Sequence, residues 1–410
     1  MRPKLRFAPG QGLNYPEYTF KTLADVCEIR REIVDLSNLS DVQFAEYSMP
    51  AFDSGKKPKV IFGSEAKSGR ISICGDVLLF NKLNVRKKRI WNVRNSPDNS
   101  VCSAEFIPVI ATGVLQDYMY YAVSTDKFTK TVEECSSGTS NSQKRITPSI
   151  FLEQKIACPC SQEQQKIAAF FTALDRRIEN CEKRLVTLEQ LKKGLLQKML
   201  SSNSRTLPEI RFKGFEGSWK AYKLSEVLDE IYVGQTPRRN HKEFWNGAIN
   251  WLSSRDLTRG FVEETAEKIT NVGMKSTRLR IIPNGTVVIA IIGLDAENTR
   301  GNCGILKIDS TVNQSCAALI PKKDKIIPEF LFYWYRFFGN DLALHYTQGT
   351  KQQNYNVDIL SILPIHIPSL EEQKKISAIL STIDEQIVNG EKTKNNLIRL
   401  KNGLLQQMFI

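Results

Sequence analysis

An internal repeat constrains this chain more than any other feature of its 410 residues. Residues 163–200 and 372–409 match at a constant offset of 209 without a gap, and about half of the paired positions are identical. Lys166 pairs with Lys375 in this alignment, and Asp175 pairs with Asp384. The period is far too long for a solenoid, whose repeats are about 20–50 residues long. The repeat therefore predicts the order globular domain, helix, globular domain, helix.

Each copy of the repeat has the apolar spacing of a long, coiled-coil-like helix. The stripe residues recur every three or four positions, and they are Ile167, Phe171, Leu174, Ile178, Cys181, Leu185, Leu188, Leu195 and Met199 in the first copy, and Ile376, Leu380, Ile383, Ile387, Leu397, Leu404 and Met408 in the second. A helix of about 38 residues would be about 57 Å long. We expect the two stripes to bury each other; the alternative is that each packs only on its own domain.

Two residues interrupt this pattern. Lys192 is a charged gap in the first stripe. Gly390 predicts a kink or a loosened turn in the second helix, because glycine costs about 1 kcal/mol in a helix interior.

The sequence outside the repeat predicts a mixed α+β fold. Short β-like runs at 77–80, 106–110, 286–292 and 317–320 lie between glycine, proline or asparagine residues. Residues 328–340 predict a helix whose aromatic residues belong to a core rather than to a base-stacking platform. The predicted boundaries are 1–160 for the first domain, 161–203 for the first long helix, 204–370 for the second domain and 371–410 for the second helix.

Charge predicts the class of partner. Lys and Arg number 57 against 44 Asp and Glu, which gives a net charge of +13. This excess favours a polyanion, either nucleic acid or an acidic membrane face. No stretch approaches the ~18 apolar residues of a membrane span, and residues 1–7 lack the apolar core of a signal peptide. Nine scattered cysteines without a Cys-x-x-Cys pair favour reduced thiols over disulfides or zinc, so we expect a cytoplasmic protein.

Catalytic motifs are not apparent in the sequence. It contains neither the phosphate-binding loop of ATPases nor the glycine fingerprint of dinucleotide-binding enzymes. It also lacks the Asn-Pro-Pro-aromatic run of amino-methyltransferases, and its three histidines are scattered. We therefore expect a protein that binds rather than catalyses, with no catalytic residue, cofactor or metal of its own. A protein–protein scaffold and a nuclease with a divergent site are the alternatives.

Basic and amide residues in predicted loops are the candidates for DNA contact, because cations bind phosphates and Arg, Asn and Gln read base edges. In the first domain the candidates are Lys56, Lys57, Arg86, Lys87, Lys88, Arg89, Asn141, Gln143, Lys144 and Arg145. In the second domain they are Gln235, Thr236, Arg238, Arg239, Arg300, Lys351, Gln352, Gln353 and Asn354. Loops 138–145 and 349–355 both place Gly-Thr before amides and cations. The alternative is that these residues are solvated surface.

The duplicated helix, placed after each of two dissimilar domains, resembles the specificity subunit of type I restriction–modification systems. In the second domain, residues 234–237 (Gly-Gln-Thr-Pro), 251–257 (Trp-Leu-Ser-Ser-Arg-Asp-Leu) and 312–315 (Val-Asn-Gln-Ser) resemble the target recognition pattern of that family. The resemblance adds Arg255 to the candidates for DNA contact. The first domain has no clear counterpart of the first two segments.

The resemblance implies a function for each part of the chain. Each globular domain would be a target recognition domain that reads one half of a split double-stranded DNA site. The two helices would pack antiparallel with pseudo-two-fold symmetry, set the unread spacer and bind two methyltransferase subunits. Those subunits would bind S-adenosylmethionine and methylate adenine, while separate motor–nuclease subunits would use ATP and Mg²⁺.

Overall fold

The computed structural model describes residues 3–8, 15–66, 68–138, 144–200, 207–347 and 354–409. Residue contacts divide the chain into two compact units. Unit 1 contains residues 1–183 and 391–410, and unit 2 contains residues 184–390. The division cuts both long helices, so each unit contains part of each helix.

Unit 1 is built on a large mixed sheet. Its strands are β1 (Thr19–Thr22), β2 (Cys27–Ile29), β3 (Ile33–Val34), β4 (Gln43–Tyr47), β5 (Lys59–Phe62), β6 (Arg70–Asn81), β7 (Ile90–Ser103), β8 (Phe106–Ala111) and β9 (Lys155–Cys158). Its helices are α1 (Met49–Asp53), α2 (Gln116–Val123), α3 (Asp126–Glu134), α4 (Pro148–Glu153) and the first part of α5 (Ser161–Met199). The sheet order is β2-β8-β6-β7-β4-β5 with β3 on β6, and β1 pairs with β9.

Unit 2 has a related set of strands in smaller sheets. They are β10 (Lys220–Lys223), β11 (Leu228–Val233), β12 (Trp245–Leu252), β13 (Gly260–Val262), β14 (Glu267–Ile269), β15 (Val287–Ala290), β16 (Cys303–Leu306), β17 (Thr311–Val312), β18 (Cys316–Pro321) and β19 (Pro364–Ile367). The helices are α6 (Leu224–Val227), α7 (Asn271–Ser276), α8 (Pro328–Tyr346), α9 (Val357–Ile362), the last part of α5 and the first part of α10 (Leu370–Met408). The sheet orders are β11-β18-β15-β16-β13, β14-β12-β17 and β10-β19.

The α+β class and the predicted elements outside the repeat are confirmed. The runs at 77–80, 106–110 and 317–320 lie in β6, β8 and β18, and the run at 286–292 contains β15. Residues 328–340 form the first part of α8, and the aromatic side chains from Phe330 to Tyr335 are buried. They belong to the core of unit 2, as the sequence predicts.

The repeated segments form two long helices of 39 residues each. Helix α10 runs through Gly390 without interruption, so the predicted loosened turn is wrong. A Cβ atom at Gly390 would lie 2.9 Å from Cδ2 of Leu185. The glycine therefore allows a close approach between the two helices within unit 2.

Opposite ends of the two helices contribute to the core of each unit. In unit 1, Ile167 and Phe171 of α5 share a hydrophobic cluster with Leu405 and Met408 of α10. In unit 2, Leu196 and Met199 share a cluster with Ile376 and Leu380. Both clusters also contain strand residues, so the stripes pack against each other and against the sheets.

The predicted stripe residues differ in burial. Ile167, Phe171, Leu174, Leu185, Leu188, Met199, Ile376, Leu380, Ile383 and Met408 are buried, whereas Ile178, Cys181, Leu195, Ile387, Leu397 and Leu404 are half-buried. The sequence analysis missed two buried leucines, Leu196 and Leu405, which are also separated by the offset of 209.

All nine cysteines are free. Across the described ranges, none of the helices combines the length and the apolar character that a lipid bilayer crossing requires.

Candidate nucleic-acid interface

In each unit a buried ion pair joins the segment before the first strand to the start of a long helix. In unit 1, Nε of Arg6 donates to Oε1 of Glu163 at 2.8 Å; in unit 2, Nε of Arg211 donates to Oε1 of Glu372 at the same distance. The second guanidinium nitrogen donates to the other carboxylate oxygen at 2.7 and 2.8 Å. Both glutamates are buried, and bidentate pairs of this kind are strong and directional. The ion pairs therefore anchor the domains to the helices.

A second matched contact lies between the two helices in each unit. In unit 1, Nζ of Lys401 lies 2.6 Å from Oδ1 of Asp175, and the Tyr121 hydroxyl donates to Oδ2 of Asp175 at 3.0 Å. In unit 2, Lys192 pairs with Asp384. These two residues match Lys401 and Asp175 of unit 1 at the repeat offset of 209. Lys192, which interrupts the apolar stripe of α5, therefore forms an ion pair with α10.

The unit 2 pair is the more buried of the two. The Tyr333 hydroxyl donates to Oδ2 of Asp384 at 2.8 Å, and Nη1 of Arg336 lies 3.3 Å from the same oxygen. Burial lowers the pKa of Lys192 to about 8, and the positive charge of Arg336 acts in the same direction, while Asp384 opposes it.

Three segments of unit 2 that carry the family resemblance lie together. Gly234 sits so close to Val312 that a Cβ atom there would overlap with the Val312 carbonyl oxygen. The Gln235 amide donates to that oxygen at 3.2 Å, and Nε1 of Trp251 donates to the Gln235 carbonyl at 3.1 Å. The Thr236 hydroxyl donates to Oε1 of Gln314. The turn after β11 and the loop after β17 thus form one surface.

Arginines surround this surface. Arg239 pairs with Glu267 through Nη2 and Oε2 at 3.0 Å, and its Cζ lies 3.9 Å from the ring centroid of Trp245. The bond from Arg239 lowers the pKa of Glu267, and the charge of Arg255 adds to this effect. Arg238 and Arg255 are exposed, as is Gln235. Exposed guanidinium and amide groups on one surface suit contact with phosphates and base edges.

A carboxylate fixes the loop that carries Arg255. Oδ2 of Asp256 accepts from the Ser253 amide at 2.7 Å, and its Oδ1 accepts from the Ala266 amide at 3.0 Å. The Trp-Leu-Ser-Ser-Arg-Asp segment therefore combines a structural aspartate with an exposed arginine.

The side chains of two other candidates of unit 2 form hydrogen bonds with the backbone of residues 293–294. Nε of Arg300 donates to the Leu294 carbonyl at 2.8 Å, and Oδ1 of Asn354 accepts from the Gly293 amide at 3.0 Å. Both side chains already have partners within the protein. Lys351, Gln352 and Gln353 lie outside the described residues.

The dense basic cluster of unit 1 is paired with acidic side chains. Nε of Arg86 lies 3.2 Å from Oε1 of Glu133, and Nη2 of Arg89 lies 2.6 Å from Oδ2 of Asp53. Lys88 pairs with Asp126. A phosphate would have to compete with these three carboxylates. The fourth cation, Lys87, is exposed.

The remaining candidates of unit 1 have different surroundings. Desolvation lowers the pKa of Lys56, as does the charge of Lys401, so this ammonium lies towards the helices. Lys57 is exposed and Lys144 is half-buried. Nη2 of Arg145 lies 2.9 Å from Oε1 of Glu105. Asn141 and Gln143 lie outside the described residues.

The sequence analysis missed Gln314 and Trp245 as members of the unit 2 surface. Gln314 stands in the Val-Asn-Gln-Ser segment, so its amide within a recognised motif was an available signal. No motif in the sequence points to Trp245. It belongs to the surface because the Arg239 guanidinium lies above its ring, which is apparent only in the folded chain.

Comparisons with known proteins show which sequences this chain resembles. The chain matches the family model for the "Type I restriction modification DNA specificity domain" at residues 16–190 and 216–400. The type I restriction enzyme MjaIX specificity subunit of Methanocaldococcus jannaschii is 29% identical over 196 residues, which cover 47% of this chain and 44% of that protein. The EcoR124I/EcoR124II specificity subunit of Escherichia coli is 24% identical over 344 residues, which cover 82% of this chain and 80% of that protein.

A solved structure has a similar fold. The S subunit of a type I restriction-modification system from M. genitalium aligns with a TM-score of 0.64 at 14% identity, and the alignment covers 100% of this chain and 99% of that chain.

Proposed function

The chain belongs to the family of type I restriction–modification DNA specificity subunits, and we propose that its two domains each read one half of a bipartite DNA site. The observation that carries this proposal is the contrast within the repeat. Glu163 and Glu372 anchor the two domains to the helices in the same way, whereas segments 234–237 and 251–257 of the second domain have no clear sequence counterpart in the first. Two domains that are attached to the helices in the same way but carry different loops are suited to reading two different DNA sequences.

The helices would set the spacer between the two half-sites. In each unit, the start of one helix and the end of the other share a core, which supports antiparallel pairing. A helix of 39 residues is about 58 Å long, and one turn of B-DNA is about 34 Å. If a domain overlaps each end of the pair, helices of this length would hold two readers about one DNA turn apart or a little more.

Catalysis would belong to the partners. We propose that two methyltransferase subunits bind the duplicated helices and supply S-adenosylmethionine for adenine methylation. Motor–nuclease subunits would supply ATP- and Mg²⁺-dependent restriction. This chain would determine where those activities act in the cytoplasm.

Mapping of methylated adenines tests the proposal. The chain is expressed with its cognate methyltransferase subunit, and we expect a motif of two read segments with an unread spacer. The variant Gln235→Ala/Arg238→Ala/Arg255→Ala should alter one segment and leave the other unchanged. A contiguous motif, or equal loss in both segments, would contradict the proposal.

A heptad deletion tests the spacer. Removing residues 187–193 together with the matched residues 396–402 shortens each helix by about 10 Å, which corresponds to about three base pairs. We expect either a shorter spacer or loss of binding. An unchanged spacer with intact affinity would show that the helices do not set it.

Salt dependence separates DNA recognition from a protein scaffold. Each neutralised phosphate contributes about 0.9 to the slope of log affinity against log salt. A steep slope with duplex DNA is expected, and a flat slope would favour the scaffold. Metal-dependent cleavage by the isolated chain would favour a nuclease instead.

A further inference from the structure

A groove in unit 1 combines cations with apolar side chains. Arg30, Arg31 and Lys82 line it together with Ile33 and Pro108. Ile33 is 74% exposed, although it lies in β3. The groove therefore offers both apolar and cationic groups to whatever binds in it.

The three cations of the groove have no acidic partner. Within the part of the chain that the structure describes, Arg30, Arg31 and Lys82 form no ion pair. In the same unit, Arg86, Lys88 and Arg89 are each paired with a carboxylate. The groove therefore carries positive charge that the fold does not neutralise.

Hydrogen bonds show which part of unit 2 corresponds to the groove. The Lys82 amide donates to the Glu105 carbonyl at 2.8 Å, and the Lys82 carbonyl accepts from the Ile146 amide at 3.1 Å. In unit 2, the Ile291 amide donates to the Ser315 carbonyl at 2.9 Å, and the Ile291 carbonyl accepts from the Tyr355 amide at 2.8 Å. Lys82 thus occupies the position of Ile291, beside the loop that ends at Ser315.

Arg30 and Arg31 follow β2, the strand of unit 1 that corresponds to β11 of unit 2. The Arg30 amide donates to the Pro108 carbonyl at 3.0 Å and extends the pairing of β2 with β8. In unit 2, β11 pairs with β18 and is followed directly by Gly234. In this register Arg30 and Arg31 correspond to Tyr232 and Val233, the last two residues of β11, so they lie directly before the position of the Gly-Gln-Thr-Pro turn of unit 2.

We propose that this groove is the DNA-binding surface of unit 1, an inference that rests on the proposed function. Arg30, Arg31 and Lys82 would bind backbone phosphates, and Ile33 would contact a thymine methyl group in the major groove. The unpaired positive charge selects duplex DNA as the occupant rather than an apolar protein segment.

The test is the variant Arg30→Ala/Arg31→Ala/Lys82→Ala, bound to duplex DNA as a complex with the methyltransferase subunit. Loss of three phosphate contacts should reduce the salt slope by about 2.7 and lower the affinity at 0.15 M salt on the order of a hundredfold. The matched control is Arg86→Ala/Lys88→Ala/Arg89→Ala, which removes the same charge from the same unit. Because its cations are already paired, its slope should change much less.

Further measurements keep the outcome interpretable. The single variant Arg31→Glu at an exposed position guards against misfolding, and thermal unfolding midpoints of all variants are compared with the wild type. An unchanged slope in the triple variant, or an equal loss in the control, would overturn the inference. Loss of methyltransferase binding without a change in slope would also overturn it, because the groove would then be a protein-binding surface.

Methylation mapping separates this inference from the proposed function. If the wild-type complex methylates a bipartite motif and the triple variant methylates it equally well, only the groove assignment fails. If the wild-type complex has no bipartite motif, the proposed function fails first.

Discussion

Units 1 and 2 are most alike where the domains contact the helices. Oε1 of Gln164 accepts from the Leu115 amide at 2.9 Å, and Oε1 of Gln373 accepts from the Ile327 amide at the same distance. Nε2 of each glutamine donates to the carbonyl of the proline five residues earlier, at 2.9 and 3.0 Å. The glutamate and the glutamine that the repeat preserves at the start of each long helix thus hold a domain on that helix.

The units differ at the ends of the strands that carry the candidate DNA contacts. Unit 2 has a glycine turn in close contact with Val312, whereas unit 1 has Arg30 and Arg31 at the end of the strand that leads to the matching position. The Arg–Glu pairs that anchor the domains need the same residues in both units. The loops need only begin at the same end of the sheet, so their sequences can differ. One scaffold can therefore carry two unrelated recognition surfaces.

The interhelical ion pairs give the largest expected difference between the units. The side chains of Lys192 and Asp384 are 5% and 11% exposed, against 20% and 33% for Lys401 and Asp175. Asp384→Ala leaves a buried ammonium unpaired and should cost about 3–5 kcal/mol of unfolding free energy. Asp175→Ala should cost about 1 kcal/mol or less. Urea unfolding of both variants measures the two losses, and equal losses would contradict the difference in burial.

Gly234→Ala tests the turn that distinguishes unit 2. The added methyl group overlaps with the Val312 carbonyl, so the turn must shift, and we expect a loss of roughly 1–3 kcal/mol. Methylation mapping should show weaker recognition of one half-site. Wild-type stability and an unchanged motif would indicate that the close contact is not needed.

Gly194→Ala and Gly403→Ala provide the matched control, because the two glycines are related by the repeat and neither has an atom within 4 Å of an added Cβ. Each lies inside a long helix, where alanine is more favourable than glycine. We expect each variant to gain about 0.5–1 kcal/mol in thermal or urea unfolding. A loss in one variant alone would show that the two helix ends are not equivalent.

His366 gives the smallest expected difference. Its Nδ1 is buried without a hydrogen-bond partner, and burial lowers the pKa of its imidazole. The unfolded chain therefore binds a proton more readily than the folded chain, so stability should fall as the pH drops through about 6.5. The matched residue in unit 1 is Ala157, and His366→Ala should remove this part of the pH dependence of unfolding. An identical pH profile in the variant would exclude His366 as its source.

Sequence reasoning succeeded where local pattern decides the structure. Apolar spacing predicted α5 and α10, and the composition of residues 328–340 predicted a core helix. It failed where the partner is distant in sequence. The carboxylates of Asp53, Asp126 and Glu133 approach the basic cluster only in the folded chain.

The same limit explains the residues of the interhelical seam. Lys192 looks like a defect in an apolar stripe until Asp384 is placed opposite it. Arg30 and Arg31 match no motif, and the turn after β2 becomes a candidate site only because β6 and β8 place Lys82 and Pro108 beside it.

The division of both helices between the units affects how the protein folds during synthesis. Phe171 and Leu405 belong to the same core, yet 234 residues of chain separate them. At about 5–20 residues per second, the ribosome needs roughly 10–50 s to make that stretch. During that time the first domain exposes the apolar surface that the last part of α10 covers in the finished protein, because this segment is synthesised after the whole of unit 2.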